Sequence, residues 1–183
     1  MTRACHDTPF RLRCFDDVLE EWFPEIETLQ SLVTGFYSDV YDAPPVFYEH
    51  GRGGGGASAF AEEDYAFHPH LCSLPGSLRI HEPLSELFAS SPAPLPGLRE
   101  QIGFRPYIYV HTPFDAGHQE PLAYFTADDP ADGRVTGFRL KKLLVDANGL
   151  DSGWDWRTHP GESELNSLIE RFTDWYTSKF RHY

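Results

Sequence analysis

The chain reads as an α+β protein: an antiparallel β-sheet with N-terminal and C-terminal helices packed on it. Two observations carry this. The stretch around 104–145 holds three short apolar, aromatic and β-branched runs, 103–111, 122–125 and 135–140, separated by Pro, Gly and Asp clusters. That is the pattern of an antiparallel meander. Apolar residues also recur at helical spacing near both ends of the sequence. The expected arrangement places the helices on one face of the sheet, within a single α+β domain spanning 1–183.

Taken in order, 14–23 predicts a short helix, with Phe15, Val18, Leu19 and Trp22 on one side and Asp16, Asp17, Glu20 and Glu21 on the other. Pro24 suits the first position of a second helix, where its missing N–H costs nothing. Ile26, Leu29, Leu32, Val33, Phe36, Tyr37 and Val40 form its apolar stripe, and Gln30 is expected to face away. Ala43-Pro44-Pro45 stops it. Residues 46–48 suggest a first strand leading into a loop that begins at Glu49, and 57–82 carry no decisive pattern. One or two helical turns fit 83–90, and 90–97 reads as a polyproline connector. Asp128 to Gly133 is dense in turn formers and is expected to join the second and third meander strands. Residues 141–145 either extend the third strand or open a helix. The last helix is signalled by Leu165, Leu168, Ile169, Phe172, Tyr176 and Phe180, with Ser163 as its expected N-cap.

Charge narrows the function. The formal net charge is −13, and the acidity is uneven: 6 basic and 16 acidic side chains in 1–100, against 9 and 12 in 101–183. Such a surface repels phosphate backbones, which disfavours nucleic acid and favours a basic protein partner. Three cysteines without a CxxC pair argue against a disulfide framework and for a reducing compartment. There is no apolar leader and no apolar run approaching the ~18 residues of a membrane span, so the expected location is the cytoplasm and no membrane partner is expected.

Four stretches are candidates for chemistry. The Gly-rich run from Gly51 to Gly56 lacks the Lys of a phosphate loop, since no Lys precedes Lys141. His68, His70 and Cys72 alternate as ligands on one side of an extended segment would, with His81, Glu82 or a meander residue to complete a set, but a second ligand pair is missing, so no metal or other cofactor is expected there. His111, Asp115, His118 and Glu120 gather two imidazoles and two carboxylates at a strand end and its loop, suited to acid–base or metal chemistry. Trp154 and Trp156 sit in a Gly-rich loop beside Arg157, residue types found at binding hot spots.

No catalytic set is complete, because no nucleophile is in context. The expected function is therefore a non-catalytic acidic binding protein that shields a basic partner. Its contact residues would be Asp16, Asp17, Glu20, Glu21, Glu25 and Glu27, or Glu62, Glu63 and Asp64, with Trp154 and Trp156. In size, charge and layout, though in no motif, the chain resembles small acidic bacterial immunity proteins, which protect a cell from its own secreted toxins. The resemblance implies a toxin as the partner. The alternative is a small metal-assisted hydrolase or oxygenase using the loop from His111 to Glu120.

Overall fold

The computed structural model describes residues 15–51, 71–76, 78–103, 105–125, 137–150 and 161–181. Within them, two 3-10 turns (Phe15–Asp17 and Glu20–Trp22) lead into α1 (Phe23–Tyr41) and then β1 (Pro45–Gly51). There follow β2 (Cys72–Pro75), α2 (His81–Leu87), β3 (Ser90–Pro92), α3 (Leu98–Ile102), β4 (Tyr107–His111) and β5 (Leu122–Phe125), then α4 (Gly137–Asn148) and α5 (Glu162–Phe180). The strands form one five-stranded antiparallel sheet in the order β2-β1-β4-β5-β3. The α+β class, the antiparallel sheet and the helices near both ends of the chain are as the sequence implied.

Pleating sorts the centre of the sheet into two cores, because successive side chains in a strand point to opposite faces. Tyr107 and Tyr109 of β4, with Ala123 of β5, lie among Phe15, Phe23, Leu98 and Ile102. Ile108 and Val110 of β4 and Tyr124 of β5 lie on the other face, among Ile80 and Leu84 from α2 and Leu140 and Leu144 from α4. Helices therefore cover both faces rather than one. The C-terminal helix packs onto the N-terminal one, with the Phe172 and Trp175 rings against Phe36 at 5.1 and 5.6 Å. The Trp175 indole N–H donates to Asp39, which also meets Lys179 at 3.0 Å.

The meander has only two of its three expected strands, because residues 137–140 open α4 instead. Leu140 and Leu144, one turn apart, can both reach the core from a helix, and the Lys142–Asp146 pair supports the outer side. The expected turn from Asp128 to Gly133 lies outside the described residues. The connector at 90–97 instead contributes β3, with Pro92 tolerated on an edge strand, and sends Ala93 and Leu95 into the core. The strand at β1 is longer than expected and includes Glu49 and His50.

Gly51 is opposite Tyr107, and a Cβ there would fall on the Tyr107 ring. Its lack of a side chain is what lets that ring cross to Glu49. In α1 Phe36 and Tyr37 of the expected stripe are buried, but the inward face also runs through Phe23 and Gln30, so Gln30 is buried while Leu29 is 59% exposed, the reverse of the expectation for those two. The cap of α5 is Gly161 at φ +63°, not Ser163, whose hydroxyl donates to Glu164. No helix among the described residues is long and apolar enough to cross a membrane.

Candidate functional site: a histidine cleft beside the sheet

The loop between β4 and β5 does not keep its four candidate residues together. His111 is the last residue of β4 and points to the face of Tyr107 and Tyr109, with its ring 6.1 Å from Phe47. It is half-buried, its Nδ1 has no hydrogen-bond partner, and burial pulls its pKa down. One residue on, alternation turns Thr112 to the opposite face. Asp115 and His118 lie on that second side, while Glu120 is exposed and outside their cluster.

His81, the first residue of α2, completes the cluster that His111 leaves. It is 5% exposed and its ring stacks on that of His118, centroids 4.0 Å apart and 10° from parallel. Hydrogen bonds fix its protonation. The Thr112 hydroxyl donates to the His118 carbonyl at 3.0 Å, so towards His81 it can only accept, and His81 Nε2–H donates to it at 2.7 Å. His81 Nδ1 then carries the lone pair and accepts from the Tyr124 hydroxyl at 2.7 Å. Burial, with His118 adding to it, lowers the His81 pKa to about 4, so the ring is neutral at physiological pH.

Asp115 is the exposed half of the cluster. Its carboxylate accepts the Gly117 N–H at 2.9 Å and faces His118 Nδ1 at 3.2 Å. Those two contacts, the backbone bond first, hold its pKa below the usual carboxylate value. The three side chains open onto a cleft of about 420 Å³ with Ile80, Val46 and Phe114 among its walls. Arg79 stands at the edge, its Nη2 donating to the Ala147 carbonyl of α4 and its backbone N–H to Asn148 Oδ1. That contact ties the entrance of α2 to the end of α4.

Cys72 lies in β2 opposite Tyr48, and burial raises its thiol pKa, as expected of a small apolar side chain rather than a metal-ready thiolate. His68, His70, Glu62, Glu63, Asp64, Trp154 and Trp156 lie outside the described residues, as does the Asp16 side chain. Glu20, Glu21, Glu25 and Glu27 are exposed, and Asp17 is half-buried. The sequence offers His81 only as a possible further ligand beside His68, His70 and Cys72, not as a partner of Asp115 and His118. No protein-family model, curated protein or solved structure matches this chain.

Proposed function

We propose that this chain is a non-catalytic binding protein that shields a basic protein partner, in the manner of a cytoplasmic immunity protein. The observation that carries this is Trp22, which is 55% exposed and stands beside the exposed carboxylates of Glu20, Glu21 and Glu25. Leu19 and Leu29, each 59% exposed, flank it. Trp22 and Leu29 are seven residues apart, so they share one side of the first turns of α1 with Glu25 between them. A large aromatic anchor inside a ring of like charge is the composition of an interface core and rim for a partner of opposite charge. The net charge of −13 adds long-range attraction of the same sign. The enzymatic alternative is less well supported, because His111 and Glu120 are separated from Asp115 and His118.

Panning a random peptide library against the chain tests the surface even while the partner is unidentified. Enriched peptides should be rich in Arg and Lys and should weaken as salt is raised. They should lose affinity about 30-fold against Trp22→Ala, the loss that corresponds to a hot spot of about 2 kcal/mol. Enrichment of peptides without positive charge, or equal binding to Trp22→Ala and to a Glu20→Gln, Glu21→Gln, Glu25→Gln variant, would refute the reading.

A further inference from the structure

The cleft holds a ligand set that the Trp22 surface does not use. We propose that His81, Asp115 and His118 bind one divalent transition-metal ion, with two imidazoles and one carboxylate as protein ligands and the remaining positions open to the cleft. The potential ligand atoms of the three side chains all lie within 4.8 Å of one another. Asp115 Oδ2 already lies 3.2 Å from His118 Nδ1, in a hydrogen bond that an ion between the two groups would replace. Two nitrogens and one oxygen suit Zn²⁺, Co²⁺ or Fe²⁺ better than Ca²⁺ or Mg²⁺, which call for oxygen ligands.

The arrangement also says what must move. A ring nitrogen directs its lone pair in the plane of its ring, so two rings stacked at 4.0 Å and 10° cannot both aim at one ion. His118 is the ring free to turn. It lies on the β4–β5 loop, its side chain is 39% exposed, and its ring contacts are the stack and Asp115. His81 stays anchored. In the loaded state its Nε2 faces the ion and its Nδ1–H donates to the Tyr124 hydroxyl, the orienting bond that metal-binding histidines ordinarily make. Thr112 releases His81 Nε2 and keeps its own bond to the His118 carbonyl. The ion therefore takes the place of the imidazole stack, and binding and unstacking are one event.

Cobalt(II) added to the untagged full-length chain is the direct probe, followed by calorimetry and visible absorption. One ion per chain is expected, without a sulfur-to-cobalt charge-transfer band. Both His118→Ala and Asp115→Asn alter exposed side chains and should keep the far-UV circular dichroism of the parent. Each should weaken cobalt by ~100-fold or more, and Tyr124→Phe should weaken it by ~10-fold through loss of the orienting bond. In NMR spectra of the zinc-titrated protein, the His81 and His118 ring resonances should shift together as the stack opens. The proposal is overturned by absence of binding, by unchanged affinity in His118→Ala or Asp115→Asn, or by a sulfur band that disappears in Cys72→Ala. None of these outcomes touches the peptide-panning result, since Trp22 and the cleft share no residue.

Discussion

The two faces of the sheet treat buried polar groups differently, as Tyr107 of β4 and Thr112 just past the end of that strand show. On the face under α1, Glu49 is 2% exposed and accepts from the Phe15 backbone N–H at 2.8 Å and the Tyr107 hydroxyl at 2.7 Å. Apolar side chains from the 3-10 turn, α1 and α3 close over that network. On the face under α2 and α4, the network of Thr112, His81 and Tyr124 is just as well bonded but ends at His118 and Asp115 in an open cleft. A closed network can only hold the fold together. An open one has groups left to offer a ligand. Mutations should therefore separate the faces, with large stability losses on the first and small losses with large binding effects on the second.

Glu49→Ala should give the largest effect. It leaves the Phe15 N–H and the Tyr107 hydroxyl buried without their acceptor, at about 1–3 kcal/mol for each orphaned group. Urea unfolding should show a loss of about 3 kcal/mol or more, while cobalt binding in the cleft persists in the folded fraction. A loss below about 1 kcal/mol would mean that the closed network is not structural.

Next comes the pH dependence of the cleft side of the sheet. By strand alternation His50 shares the face of Tyr48. Burial lowers its pKa from 6.5 to about 4, and its Nε2 has no hydrogen-bond partner. The sign follows from proton uptake. Between pH 6.5 and about 4 the unfolded chain binds a proton at His50 that the folded chain refuses, so stability is full above that window and falls as pH falls through it. The size is roughly 3 kcal/mol for His50 alone. Urea unfolding at pH 7 and at pH 4 should show the parent losing that much more than His50→Leu, and parallel losses would remove His50 as the cause.

Legibility in the sequence followed how local the determining contacts are. The runs that became β4 and β5 declare themselves through β-branched and aromatic residues, and α1 and α5 through long 3.6-residue periods. Strands β2 and β3, of four and three residues, exist because β1 and β5 offer them edges, which no local pattern of Cys72–Pro75 or Ser90–Pro92 encodes. The run from Val135 to Leu140 looks like a strand by composition, yet 137–140 became helical once Leu140 and Leu144 could be buried together. At the cleft, Asp115 and His118 were legible because a tight loop keeps them close. His81 lies more than thirty residues earlier in the chain and reaches them only through the packing of α2 on the sheet. His111 was misread because adjacency in sequence places it across the sheet from its neighbour Thr112.

Asp115→Asn should change stability least, and it sharpens the contrast most. The Asp115 carboxylate is exposed and its partner His118 is half-exposed, and ion pairs of that kind contribute about 0–1 kcal/mol. Asparagine keeps an oxygen that can accept the Gly117 N–H, so the loop has no reason to rearrange. Unfolding free energies of the parent and the variant from urea titration should agree to within about 0.5 kcal/mol. The same substitution removes the anionic oxygen from the cleft, so any loss of metal affinity in it cannot be traced to unfolding. A stability loss near that of Glu49→Ala would place Asp115 inside a structural network and erase the distinction between the two faces.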